Sequence, residues 1–253
     1  MKLVQKKQVI FKSFVITISL SIVFFLTFAS VQRQQRKKTV ITTPPAPTGD
    51  LRIRPGYNSY EMYIQRQLDK TQNPKLRQIW MTRDWDRKIN VFATFFENLK
   101  HENLLGNTSK SLCIGARVGQ EVAALQRVGV ADSVGIDLVP YPPLVIKGDF
   151  HDQPFDNNTF DFEFSNVFDH ALYPSKFVRE IERTLRPNGV CVLHVALSRR
   201  ADKYSANDLY STTPLVEMFR DSELVRVKKV DGFGLDTEVV FRKNMMKKNN
   251  RRR

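Results

Sequence analysis

Hydrophobic and polar positions along this chain fall into blocks whose period changes several times. Ser13–Val31 is nineteen residues without a charge, a stretch that as a helix spans about 28 Å, the thickness of a bilayer's hydrocarbon core. From about Tyr60 to Asn103 the apolar positions recur at helical spacing. Ile89, Val91, Phe92, Phe95, Phe96 and Leu99 form one stripe, and Asp86 is the capping candidate ahead of it. Ser111–Ile114 then reads as a short strand, and Gly115-Ala116-Arg117-Val118-Gly119 as a loop. Glu121 opens a helix with Val122, Ala123, Leu125 and Val128 on its apolar face. The chain returns through Gly129 into a second strand, Ser133–Ile136, with Asp137 at its end. Leu144–Ile146, Thr159–Ser165 and Val190–Leu197 predict a third, fourth and fifth strand. Ser175–Leu185 predicts a helix stopped by Pro187-Asn188-Gly189. Residues 206–220 read as helical, and Leu224–Val230 and Glu238–Phe241, joined around Asp231-Gly232, predict a closing hairpin.

Alternating strands and helices predict an α/β fold. The expected sheet is doubly wound and mainly parallel, with an antiparallel C-terminal hairpin, and is preceded by N-terminal helices and a transmembrane helix. With strand order 3-2-1-4-5, the fourth strand lies between Cys113 and Cys191. Their backbones are then roughly 9–10 Å apart at ordinary strand spacing, beyond disulfide reach. Both cysteines read as buried small hydrophobes.

Charge changes the picture less than its total implies. The formal net charge is +14, but residues 1–49 carry eight Lys/Arg and no acid, and residues 242–253 carry seven and no acid. Fifteen of the 40 Lys/Arg therefore sit in the ends, leaving 25 against 26 Asp/Glu in the body. A near-neutral body argues against nucleic acid as a partner, because phosphate binding needs a basic surface on the folded domain. The basic ends more simply flank a membrane segment, at the N-terminal end, and form a solvated tail at the other. The expected organisation is a basic tail over 1–12, a signal-anchor over 13–31 and a stalk over 32–57 whose Thr42–Pro47 and Pro55-Gly56 favour extended, unpaired chain. A domain follows over 58–242, then a basic tail over 243–253. The apolar run exceeds the usual core of a cleaved signal peptide, which favours an anchor over cleavage. A short tail ahead of an anchor with the domain behind it favours a lumenal domain in the secretory pathway, Golgi or endoplasmic reticulum. Asn107-Thr108-Ser109 and Asn157-Asn158-Thr159 match the glycosylation pattern and weigh in the same direction.

Residues 111–137 form a strand, glycine loop, helix, strand and terminal acid. Such a unit brings backbone close to a ligand and sets an acid within reach of ribose hydroxyls, the layout of a nucleotide-type cofactor site. Taken in order, LCIGARVG, VGID, GDFHDQPFDNNTFD and EIERTLRPNGVCVLHV resemble the motifs of class I S-adenosylmethionine-dependent methyltransferases, and most nearly the type 11 subgroup. The resemblance covers about residues 108–200. The anchored layout is similar to that of plant membrane-anchored members.

The resemblance implies a Rossmann-like seven-stranded sheet, S-adenosylmethionine as cofactor, and methyl transfer to a small-molecule or glycan-type acceptor. It implies that Gly115 and Gly119 admit the methionine part of the cofactor, Asp137 the ribose, and Asp149 the adenine amino group, with Phe150 beside the ring. Ser165 and Asn166 would lie at the mouth where the methyl group moves. Two positions depart from the family pattern: Cys113 stands where an acid is usual, and Arg117 where a middle glycine is. Those departures motivate the alternative of a catalytically silent scaffold or partner subunit. A dinucleotide-dependent oxidoreductase is a third reading, opposed by the Asp149 motif and the closing hairpin.

Asp169-His170 is the acid–base candidate of the chain, a histidine oriented by a carboxylate and able to take a proton from the acceptor. His151 reads as a surface residue, His194 as a satisfied core histidine and His101 as a helix-end cation. Asp161 reads as structural. No two His, Cys or acid positions have metal-ligand spacing, so no metal site is expected.

Overall fold

The structure, a computed structural model, describes residues 49–197 and 202–245. The predicted anchor Ser13–Val31, most of the predicted stalk and the chain after Met245 lie outside the described residues. Among the described residues no helix is long and apolar enough to cross a membrane.

In chain order the elements are β1 (Leu51–Ile53), α1 (Tyr60–Thr71), α2 (Pro74–Met81), α3 (Trp85–His101), β2 (Ser111–Ile114), α4 (Gln120–Arg127), β3 (Ser133–Asp137), β4 (Val145–Lys147) and β5 (Phe160–Ser165). A single turn of 3₁₀ helix, Phe168–His170, follows. Then come α5 (Pro174–Thr184), β6 (Leu185–Val195), β7 (Asn207–Leu209), α6 (Thr213–Met218), β8 (Ser222–Gly232) and β9 (Leu235–Lys243).

The main sheet has seven strands in the order β4-β3-β2-β5-β6-β9-β8. The first five are parallel, and β9 and β8 close the sheet as an antiparallel hairpin. This is the predicted doubly wound, Rossmann-like arrangement, and its strand order contains the predicted 3-2-1-4-5. β2 is central and all four of its residues are buried, with Leu112, Cys113 and Ile114 supplying apolar side chains to both of its faces. Leu112 and Ile114 face one layer, with Phe177, Val178 and Ile181 of α5 and with Val239 and Phe241. Cys113 faces the other, with Phe92, Phe96 and Leu99 of α3 and Val122 and Leu125 of α4. Cys191 lies in the first of these layers. The two cysteines therefore sit on opposite faces with β5 between them, and both are free.

Local chemistry sets the helix starts. Ser59 caps α1 by accepting the Met62 N–H at 3.2 Å. Asn73 caps α2 by accepting from Lys75 and Leu76, and Pro74 supplies the fixed first residue. For α3 the capping position is Asp84 rather than the predicted Asp86, which sits within the first turn.

Two predicted segments differ from the structure. Leu51–Ile53, read as unpaired stalk, is a strand that pairs antiparallel with β7. An ion pair locks the two together: the Arg54 guanidinium donates to Asp208 at 2.6 Å. Residues 206–220, read as one helix, are divided. Asn207 spends its amide on the carbonyls of Phe168 and Ala171, at 2.7 and 2.8 Å, which holds β7 extended. Helix α6 starts only where Pro214 fixes its first turn.

Candidate functional site

Five parallel strands end at one edge of the sheet, and the loops beyond their carboxyl ends form the floor of a cavity of about 330 Å³. Helices α1 and α2 and the segment after Asp202 form its roof. Gly115, Arg117, Asp137, Leu138, Asp149 and Phe150 supply one end, and Asn166, Val167 and His170 the middle. Tyr63, Gln67, Lys70, Thr71, Leu76, Trp80, Asp202 and Tyr204 enclose the rest.

The glycine loop is shaped for close approach. Gly115 has φ +74°, and a Cβ there would stand 2.4 Å from Val167 Cγ2. Gly119 has φ +85°, and its Cβ would meet Leu144 Cβ at 2.7 Å. Gly115 lines the cavity, whereas Gly119 stands behind it and lets α4 pack on the β4 side. Arg117 also takes the left-handed region, at φ +52°. That turn aims its backbone N–H at Asp137 Oδ2, 2.9 Å away. Asp137 Oδ1 accepts from Val139 N–H at 3.3 Å, so the carboxylate also caps its own turn. Burial raises the Asp137 pKa against the pull of those two N–H donors and of Arg117.

Asp149 and Phe150 line the same end. Asp149 Oδ1 accepts the His151 N–H at 2.9 Å, and Tyr60 donates its hydroxyl proton to Oδ2. His151 is fully buried, not on the surface as predicted, because four aromatic rings surround it: Tyr60, Tyr63, Phe150 and Tyr173. Its Nε2 accepts the Tyr173 N–H at 3.3 Å, which leaves the ring proton on Nδ1, 2.9 Å from the Tyr60 oxygen and 3.3 Å from Asp149. Burial lowers the His151 pKa despite the neighbouring carboxylate. The ring is a neutral strut beneath the Asp149 loop.

Ser165 stands behind the lining. It donates to the Ile114 carbonyl at 3.2 Å and accepts the Val167 N–H at 3.3 Å, joining the ends of β2 and β5. Asn166, the next residue, does line the cavity, and its amide donates to Glu121 at 3.0 Å.

The predicted Asp169–His170 pair is arranged differently from the sequence reading. Asp169 is absent from the cavity lining and takes the Ser205 hydroxyl. Its nearer oxygen is 4.0 Å from His170 Nε2. Adjacent residues on a tight turn point apart, and another residue fixes the ring. Gln67 donates its amide to the Tyr204 carbonyl at 2.8 Å, so its oxygen is the acceptor facing His170 Nδ1 at 3.0 Å. His170 is therefore protonated on Nδ1, and Nε2 accepts from Lys70 Nζ at 3.1 Å. Lys70 also donates to Asp202 at 2.7 Å. Burial lowers the Lys70 pKa. Burial alone would raise that of Asp202, but the Lys70 ammonium and the Tyr204 N–H outweigh it and bring it down to about 2.

Sequence reasoning missed Tyr60, Tyr63, Gln67 and Lys70. Their spacing of three, four and three residues puts aromatic and polar groups on one face of α1, which shows a shared face but not what it meets. Asp202 and Tyr204 carry no such mark. His194 is the expected core histidine, 3.1 Å from Glu238. Asp161 is structural, accepting the Lys110 N–H and pairing with Arg186. Among the described residues no group of three His, Cys or acid side chains is placed to hold a metal.

Residues 112–193 match the family model for a methyltransferase domain. Over those residues, about a third of the chain, the sequence is similar to that family. Its fold agrees with that of the Burkholderia thailandensis 1,6-didemethyltoxoflavin-N1-methyltransferase, solved with 1,6-didemethyltoxoflavin and S-adenosylhomocysteine bound. That chain is 16% identical, the match covers 76% of this chain and 93% of that one, and the TM-score is 0.57. The [4+2]-cyclase SpnF has a TM-score of 0.50 at 14% identity, over 60% of this chain and 81% of its own. No curated protein matches the chain by sequence.

The domain match and the fold point to S-adenosylmethionine as the cofactor, and the residues present fit it. Gly115 leaves a cradle that a Cβ would fill. Asp137 keeps lone pairs for hydroxyl donors, and Phe150 offers a ring face beside Asp149. The structure thus presents, along one cavity, acceptors for a nucleoside and a separate Lys70–His170–Asp202 cluster beyond it.

Proposed function

We propose that this protein is an S-adenosylmethionine-dependent methyltransferase acting on a small-molecule or glycan-type acceptor, held at a membrane by residues 13–31. The observation that carries the reading is the joining of two chemistries in one cavity. Asp137, Asp149 and Phe150 sit at the cofactor end, and His170 Nε2, an unprotonated ring nitrogen, faces the other end.

When bound, the cofactor supplies a methyl group already activated by its sulfonium. The chain's own residues then have little covalent work to do. Gly115 and Asp137 fix the donor's position. The α1–α2 roof excludes water. His170 Nε2 receives the proton that an acceptor hydroxyl or amine loses, with Gln67 keeping Nδ1 protonated. Lys70, moving off Nε2 onto Asp202 alone, leaves that lone pair open.

Membrane attachment is supported by the uncharged length of Ser13–Val31 and the basic residues on both sides of it. The signal-anchor layout and the two glycosylation triplets support a lumenal domain. Protease protection on sealed vesicles tests this: a lumenal domain survives until detergent is added, and one cleaved without detergent faces the cytosol.

The activity is tested by radiolabelled methyl transfer from S-adenosylmethionine into fractionated extracts and membranes, with His170→Ala as the control. Labelling that depends on His170 is the expected result. The silent-scaffold alternative, favoured by Cys113 and Arg117, predicts cofactor binding with no labelled product in any fraction. The fold alone does not choose, since it serves chemistries as different as methyl transfer and cyclisation.

A further inference from the structure

Three polar groups around the glycine loop are left short of partners in the fold. The first is Arg117. Its guanidinium lies 5.4 Å from the centre of the Trp80 ring, and Nε is buried with no hydrogen-bond partner among the described residues. Its side chain lines the cavity, and no carboxylate forms an ion pair with it there. The second is Glu121, only 2% exposed. One of its oxygens takes the Asn166 amide, and Oε2 is buried without a partner. A buried carboxylate with a single neutral donor is costly unless a cation joins it. The nearby Lys88 does not form that bond; its ammonium sits over the Phe233 ring, 5.3 Å from the centre. The third is Asn166. Since a carboxylate only accepts, Asn166 must present its NH₂ to Glu121. Its carbonyl oxygen is then left without a partner among the described residues, on a side chain that lines the cavity.

These groups share one place in the fold. Ile114 and Ser165 are register partners on β2 and β5, so the residues just beyond them, Gly115 and Asn166, lie side by side at the same edge. Arg117 is two residues along the first loop, and Glu121 is in the first turn of the helix that follows. The arrangement offers, on the lining of one cavity, a guanidinium without an ion-pair partner and an amide oxygen backed by a half-satisfied carboxylate. That pattern matches a zwitterion with an anionic and a cationic end, the chemistry of an α-amino acid.

We infer that Arg117 and the Glu121–Asn166 pair hold the two charged ends of the cofactor's amino-acid moiety. The guanidinium takes the carboxylate. Asn166 Oδ1, with the Glu121 charge behind it, takes the ammonium. The inference rests on the S-adenosylmethionine reading and deepens it, assigning to Arg117 and Glu121 a part in cofactor binding that neither the resemblance nor the cavity lining alone gives them.

The test is calorimetric titration of the full-length chain with three probes. S-adenosylmethionine carries both charges, decarboxylated S-adenosylmethionine keeps only the ammonium, and 5′-methylthioadenosine has neither. Arg117→Gln is expected to weaken S-adenosylmethionine about tenfold or more and to leave the other two unchanged. Glu121→Gln is expected to weaken both ammonium-bearing probes by a similar factor and to leave 5′-methylthioadenosine unchanged. Asn166→Ala repeats the Glu121 pattern and stands in for it if the thermal melt of Glu121→Gln shows a misfolded protein. Equal losses on all three probes, or no loss on any, overturn the inference while cofactor binding by the parent chain stands. Failure of the parent chain to bind any of the three overturns the cofactor reading and the inference with it.

Discussion

The Lys70 ammonium lies 3.1 Å from His170 Nε2 and 2.7 Å from Asp202, so the ring nitrogen is held by a cation that has a second place to go. Removing either partner has distinct consequences. His170→Ala is expected to lower turnover about 10²–10⁴-fold, the usual range for loss of a positioned base. It should leave S-adenosylmethionine affinity within about twofold, since His170 lies beyond the nucleoside end. Single-turnover methyl transfer together with calorimetry checks both. A fall in affinity with unchanged turnover would remove His170 from the chemistry.

Gly115 and Val167 are in contact range across the mouth of the cavity. Gly115→Ala sets a Cβ 2.4 Å from Val167 Cγ2 in a left-handed backbone. The expected result is loss of cofactor affinity by more than about tenfold with a modest fall in melting temperature. Adding Val167→Ala relieves the clash but not the backbone strain, so the double variant should recover only part of the affinity.

Asp137 is held by the Arg117 and Val139 N–H groups at 2.9 and 3.3 Å. Asp137→Ala removes both bonds and the acceptors for a ribose. Cofactor affinity is expected to fall about 100-fold or more. Asp137→Asn, which keeps one acceptor oxygen, should fall less. Titration with S-adenosylhomocysteine measures the two, and equal affinity in all three proteins would remove Asp137 from the site.

Glu163 gives a prediction in pH. It is wholly buried in the sheet, where burial pushes its pKa up to about 8 despite the Thr184 hydroxyl that donates to it at 2.7 Å. In the unfolded chain it titrates near 4.5. Between those values the folded protein keeps a proton that the unfolded chain has lost, so stability falls as pH rises from about 4.5 to about 8. Glu163→Gln should flatten that slope and be more stable than the parent at pH 8 by at least about 1 kcal/mol. Urea denaturation at pH 5 and pH 8 reads it directly, and parallel slopes for both proteins would refute it.

The sheet was legible because its signals are local. Four-residue apolar runs, glycines at left-handed turns and an acid at the end of β3 are each set by neighbours in sequence. The α1 face was missed for a different reason: Tyr60, Gln67 and Lys70 gain their meaning only from Asp149, Tyr204 and Asp202, far away along the chain. His151 was misplaced because a polar loop of Asp, His and Asp gives no sign that four rings close over it. The Gln67 oxygen that faces His170 Nδ1 at 3.0 Å was not anticipated, because it comes from a helix about a hundred residues away in the chain.

The roof has a consequence for the order in which the protein is made. Four clasps on it, Arg54 to Asp208, Arg66 to Lys203, Gln67 to Tyr204 and Lys70 to Asp202, join residues more than 130 positions apart. A growing chain can complete the helices α1 and α3 early, but α1 meets its first fastenings only at Asp149 and His170 and its last at residues 202–208. The cavity therefore closes in stages, well after the helices that roof it have been made.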